Sequence, residues 1–224
     1  MPRQLTFDLP VRASLGRGDF FVSEANALAL ARMEAHQTWP NGKLVLTGPE
    51  GAGKTHLAHV WAAEAGARLI TTAELGALDV GAVKTPMVVD DADRTRPEDE
   101  ATLFHLHNHL AAHGLPLLLT ARLAPSRWPT VLADLRSRME AAEVARIDAP
   151  DDALLSAVLM KLFHDRQIGV TPPTIAWLTT HMDRSFSEAQ RVVARLDAEA
   201  LAEGRAVTRD LAQRVLDNSP KTGS

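Results

Sequence analysis

Residues 48 to 55, Gly48-Pro49-Glu50-Gly51-Ala52-Gly53-Lys54-Thr55, fit the spacing G-x-x-x-x-G-K-[ST] at every position. Glycines allow a loop to turn its backbone N–H groups inward around phosphate oxygens. Lys54 adds a point charge for the outer phosphates, and Thr55 offers a hydroxyl to Mg2+. A helix that starts at such a loop directs its positive end at the same phosphates. Further along, Met87-Val88-Val89-Asp90-Asp91 is an apolar run that ends in two acids. Asp90 is placed to face the Mg2+ from the carboxyl end of a strand, and Asp91 to orient an attacking water.

These groups need a scaffold, and the surrounding pattern describes one. Short apolar runs at 43–47, 67–72, 86–90, 115–120 and 143–147 read as strands, separated by stretches of helical pattern. Ser23 before Glu24 reads as the start of a first helix, and Gly66 and Gly114 as helix ends. Strands alternating with helices imply a parallel sheet covered on both faces. A glycine turn that happens to precede a lysine is set aside because a strand leads into 48–55 and a helix leaves it. Beyond Pro150 the pattern is helical throughout, so a small all-helical domain is expected over 150–218. Residues 1–19 read as a flexible N-terminal segment, 20–149 as the nucleotide-binding domain and 219–224 as a tail.

Bulk composition narrows the function. The chain has 224 residues, 46% hydrophobic and 23% charged, with a formal net charge of -4. This is the balance of a globular protein with a real core. It argues against a protein whose main task is gripping phosphate backbones, since such domains run basic. Cysteine is absent, which excludes disulfides, thiolate metal sites and thiol catalysis. There is no signal-peptide pattern and no apolar run of membrane length, so a cytoplasmic location is expected.

The stretch GKTHLAHVWAAEAG resembles the GKTHL-x-H helix of the DnaA-type replication initiators, within the AAA+ class. The layout is similar over residues 20 to 218. The resemblance implies an α/β P-loop AAA+ fold, with a five-stranded parallel sheet, helices on both faces and a small helical lid. It extends the nucleotide contacts to His56 and implies ATP or ADP with Mg2+, the metal held by Thr55 and Asp90. Phe21 and Val22 stand where the family packs the adenine. Leu135-Arg136-Ser137-Arg138 is similar to the stretch whose last arginine is the finger, so Arg138 takes that role toward the γ-phosphate of a neighbouring subunit. Thr120 ends the sensor strand.

Two positions depart from the family. Thr120 is followed by Ala121-Arg122 instead of a polar pair, and Ser187 stands where the lid arginine is expected, with Arg184 one turn earlier as its substitute. Both departures suggest weak intrinsic ATP turnover, with nucleotide as a structural and switching ligand. The histidines at 105, 107, 109 and 113 lack a carboxylate to complete a catalytic metal set and read as partly buried polar groups.

At the front, Gln4, Leu5, Phe7, Leu9 and Pro10 fit the loose pattern of sliding-clamp-binding peptides. Residues 11 to 22 would span about 40 Å if extended, enough to hold the ATPase clear of a ring. The combination is similar to the Hda family of DnaA inactivators. That resemblance implies binding to the clamp and stimulation of ATP hydrolysis by the DnaA initiator, with no sequence-specific DNA contact. It leaves self-association open, through the AAA+ faces or the N-terminal segment. The alternative is a helicase-loader or DNA-remodelling ATPase of the same fold. A metabolite kinase finds no support, since nothing resembles a phosphoacceptor pocket.

Overall fold

The computed structural model describes residues 21–218, which divide into two compact units. One holds Glu24–Asp148 and the other Ala149 onward, together with Phe21–Ser23. Phe21–Ser23 therefore group with the helical unit, where the sequence reading had set them with the sheet.

The sheet unit contains five parallel strands: β1 (Lys43–Thr47), β2 (Arg68–Thr71), β3 (Met87–Asp90), β4 (Leu117–Ala121) and β5 (Glu143–Arg146). Their order is β2-β3-β4-β1-β5, and every neighbouring pair is parallel. The three inner strands β1, β3 and β4 are buried at every residue, as expected where helices cover both faces. The edge strands β2 and β5 each bury a single residue, Ile70 and Ala145. Four helices cover the sheet: α1 (Ala27–Glu34), α2 (Lys54–Ala65), α3 (Glu100–Ala112) and α4 (Ala133–Glu140). Leu103, Leu106 and Leu110 on α3 and Leu135 and Met139 on α4 pack with Val45, Val89 and Leu119 of the inner strands. The 3.6 and 2.0 periods thus meet in one core.

Helix α1 begins later than Ser23 suggested, and the reason is local. The Ala25 carbonyl accepts from Asp148 N at 3.0 Å instead of closing a helical turn. The chain at 24–26 is therefore tied to the exit of β5 before the helix can start. By contrast α2 ends as expected at Gly66, which is left-handed at φ 62 and donates to the Ala62 carbonyl.

The helical unit is built from α5 (Asp152–Asp165), α6 (Pro172–His181), α7 (Phe186–Glu203) and α8 (Arg209–Asp217). Asp151, Ser185 and Thr208 cap α5, α7 and α8, each accepting a backbone N–H with its side-chain oxygen. Leu155, Phe163, Leu178, Val192, Leu196 and Leu211 form its core. Among the described residues, no helix is long and apolar enough to cross a membrane.

Candidate functional site

The phosphate loop is possible because β1 ends between two other strands. Ile147 N donates to the Thr47 carbonyl at 2.8 Å, and Gly48 N donates to the Ala121 carbonyl at 3.3 Å. At Gly48 the backbone of Ile147 passes so close that a Cβ would lie 2.4 Å from its carbonyl oxygen. Only glycine fits there. Gly51 and Gly53 have φ of 72 and 93, the left-handed region closed to most side chains. Ala52 is buried and donates through its N–H to the Pro49 carbonyl at 3.3 Å, which tightens the turn. Gly48→Ala is therefore expected to destabilise the nucleotide-free protein by about 1–3 kcal/mol, since the obstacle is backbone and cannot swing aside. Each kcal/mol lowers the melting temperature by about 2–4 °C at this size. An unchanged thermal melt would contradict the packing described.

Lys54 opens α2 and is buried, with Nζ donating to the Gly48 and Pro49 carbonyls, both at 2.8 Å. Burial pushes its amine below the ordinary lysine value. The charges around it are divided: Asp91, Asp93 and Asp90 support the ammonium, and Arg122 opposes it. Thr55 Oγ1 donates to the Asp90 carboxylate, 3.0 Å from Oδ2 and 3.2 Å from Oδ1. A hydroxyl beside a carboxylate at the end of a strand is a pair of hard oxygen donors, the chemistry that Mg2+ requires. Thr55 and Asp90 thus fit that ion.

Thr120, at the end of the sensor strand, contacts both acids at the end of β3. It is fully buried, its hydroxyl donates to Asp90 Oδ1 at 2.5 Å, and the same oxygen accepts from Asp91 N at 2.9 Å. Through these two bonds Thr120 orients Asp90 and ties the start of the following turn to β4. Asp91 follows in the left-handed region at φ 54, an uncommon conformation for a residue with a side chain, and its carboxylate lies 3.5 Å from Arg94 Nη1. Glu50 projects from the loop to meet Arg122, Oε2 to Nη2 at 2.5 Å.

Asp93 was missed by the sequence reading. Its Oδ2 accepts from Arg122 N at 2.9 Å and Leu123 N at 3.2 Å, while Oδ1 is buried with no hydrogen-bond partner among the described residues. It fixes the turn after β4 on which Arg122 rides. The D-D-x-D spacing of 90, 91 and 93 was the available signal. Glu100 was missed as well. Its buried carboxylate accepts from Val131 N and Leu132 N, the latter at 2.7 Å, and so holds the start of α4.

No family model matches the chain. The DnaA replication initiator of Sphingopyxis alaskensis is 29% identical over 248 aligned positions, which cover 97% of this chain and 53% of that protein. Domain III of DnaA from Thermotoga maritima superposes with a TM-score of 0.77 at 18% identity, covering 90% of this chain and 95% of that one. The chain is homologous to the DnaA initiators. Its sheet and helices form the AAA+ P-loop fold of DnaA domain III. A structure of Aquifex aeolicus DnaA bound to AMPPCP also superposes, with a TM-score of 0.69 at 17% identity over 82% of this chain and 65% of that one. The chain spans about half the length of the DnaA protein from Sphingopyxis alaskensis that it matches.

On this DnaA-like scaffold, Gly48, Pro49, Glu50, Gly51, Ala52, Gly53, Lys54, Thr55, Asp90, Asp91 and Thr120 come together at the carboxyl end of the sheet. His56 is exposed on the first turn of α2. Arg138 stands elsewhere. It is exposed in the last turn of α4, and its carbonyl accepts from Nζ of Lys43, the first residue of β1. It therefore lies at the opposite end of β1 from Gly48. In the helical unit, Phe21 and Val22 are half-buried. Arg184 Nη2 pairs with Asp152 Oδ1 at 2.7 Å, and Ser187 Oγ lies 3.2 Å from Ser185 Oγ. Of the histidines, His109 Nε2 lies 2.8 Å from the Val83 carbonyl and His113 Nδ1 2.8 Å from the His109 carbonyl. Among the described residues, no three His, Asp or Glu side chains are grouped to hold a metal. Gln4, Leu5, Phe7, Leu9 and Pro10 lie outside the described residues.

Proposed function

We propose that this chain is a regulator of chromosomal replication initiation. It binds ATP or ADP with Mg2+, docks on the DNA sliding clamp and stimulates ATP hydrolysis by the DnaA initiator. The observation that carries this reading is the placement of Arg138: exposed, beside the amino-terminal end of β1 and so remote from its own phosphate loop. An arginine so placed is offered to a neighbour's γ-phosphate, where such a group is worth on the order of 10³–10⁵ in rate.

The rest of the site supports holding nucleotide more than turning it over. Backbone N–H groups of the loop and Lys54 bind the phosphates, and Thr55 and Asp90 hold the metal. When bound, Mg2+ neutralises phosphate charge. Thr120 spends its hydroxyl on Asp90, and no polar pair follows it, so the chain's own chemistry is weakly equipped. Phe21 and Val22 are the adenine contacts in this reading, Arg184 the lid arginine, and Asp91 the group nearest an attacking water. A cytoplasmic location follows from the partners.

The clamp enters through Gln4, Leu5, Phe7, Leu9 and Pro10. A tether of this kind raises the effective concentration of Arg138 at the initiator without any new contact. The test is ATP hydrolysis by the DnaA initiator with this chain and with clamp loaded on DNA. Stimulation that depends on the clamp is expected. Replacing Gln4, Leu5 and Phe7 by Ala should abolish co-elution with the clamp and leave nucleotide affinity unchanged; retained co-elution would remove the hook. Turnover by this chain without any effect on the initiator would favour the loader or remodelling alternative.

A further inference from the structure

A second group of ionisable side chains lies at the amino-terminal edge of the sheet. Lys43 opens β1 and is 1% exposed, yet among the described residues no carboxylate pairs with it. Nζ donates to the carbonyl of Arg138, which uses one of its three N–H groups. His107, on the buried face of α3, is 5% exposed. With Asn41, Asn108 and Arg138, these two line a cavity of about 170 Å³, several times the volume of about 30 Å³ that one water occupies in the liquid. None of the residues lining it is acidic.

The charge state of the cavity follows from its surroundings. Burial lowers the Lys43 amine to about 8, and Arg138 adds to the effect. Burial, then Lys43 and Arg138, lower the His107 imidazole to about 4. Among the described residues, these are the charged groups that act on either side chain, whether from β1, α3 or α4. Near pH 7, then, His107 is neutral and Lys43 still carries its proton. A buried ammonium without a counter-charge is destabilising unless an anion reaches it.

We infer that this cavity binds a small inorganic oxyanion of the phosphate and sulfate class. The Lys43 ammonium supplies the charge within the cavity, Arg138 adds positive potential from its rim, and the amides of Asn41 and Asn108 and the imidazole of His107 supply further donors. The site is separate from the loop of 48–55, which stands at the other end of β1. Anion binding here would brace the end of α4 from which Arg138 projects.

Sulfate is the probe, because its charge does not change between pH 7 and 9. The intact chain is first saturated with ADP to fill the loop of 48–55, and the backbone amide resonances of Asn108, Ala111 and Ala141 are followed as sulfate is added. Saturable shifts at these amides are expected, with affinity about tenfold weaker at pH 9 than at pH 7 as Lys43 loses its proton. Lys43→Met, which fills the same space without charge, should abolish them. No saturable shift by about 50 mM, or equal affinity at both pH values, would overturn the site. So would binding retained in Lys43→Met. The pH comparison uses the unmodified protein and stands even where the variant does not fold.

Discussion

Lys54→Ala should lower affinity for both ATP and ADP by at least about 100-fold, or about 2.7 kcal/mol. The size follows from what the side chain does. Nζ is held 2.8 Å from two carbonyls of the phosphate loop, already desolvated and aimed along the loop. Nucleotide replaces those neutral acceptors with charged oxygens, and each charge-assisted bond contributes about 1.5–3 kcal/mol. Alanine leaves the loop glycines and the α2 N-terminus in place, so residual binding should remain. A thermal melt reads the same quantity independently. At a thousandfold excess over its dissociation constant, nucleotide stabilises the unmodified protein by about 4 kcal/mol. At the same concentration the variant gains only about 1.4 kcal/mol. Isothermal titration gives the affinities directly, and an unchanged dissociation constant would mean that the loop does not bind phosphate as described.

The parts of this site that were legible in the sequence are those whose contacts are local. Eight consecutive residues carry the phosphate loop, and their glycines, lysine and threonine announce it without knowledge of the fold. Strands β1, β3 and β4 were equally legible, because burial on both faces makes them unbroken apolar runs. What could not be read depends on residues distant in the chain. Asp93 meets the backbone of Arg122, 29 positions away, and Glu100 that of Val131, 31 positions away. Lys43 meets the carbonyl of Arg138 across 95 positions. Neither helical nor strand periodicity carries information on such pairs. Lys43 illustrates the limit well, since at the head of an apolar run it looks like an ordinary solvated strand end. The same applies to α1, whose start was misjudged because Ser23 and Glu24 imitate a cap while Ala25 is claimed by Asp148. Thr120 was found by position, but its hydroxyl turned out to serve Asp90, which only the parallel register of β3 and β4 reveals.

The pairs that were illegible also give Arg138 its setting. Glu100 holds the start of α4 and Lys43 holds its last turn, so the helix is fixed at both ends. In the proposed contact with a phosphate, the anchored backbone would remove part of the cost of placing the guanidinium, while the side chain itself still has to be ordered. Its carbonyl, not its side chain, makes the contact with Lys43, so Arg138→Ala removes the guanidinium and leaves the helix anchored.

The most direct test is the rate of ATP hydrolysis by the DnaA initiator, with clamp loaded on DNA, in the presence of the intact chain or of Arg138→Ala. The intact chain should accelerate hydrolysis. Arg138→Ala should return the rate to that of the initiator alone, a loss on the order of 10³ or more if the finger contributes fully, while its own nucleotide affinity and melting temperature stay unchanged. Arg138→Lys should recover little, because a point charge does not reproduce the planar fork. Full stimulation by Arg138→Ala would contradict the account.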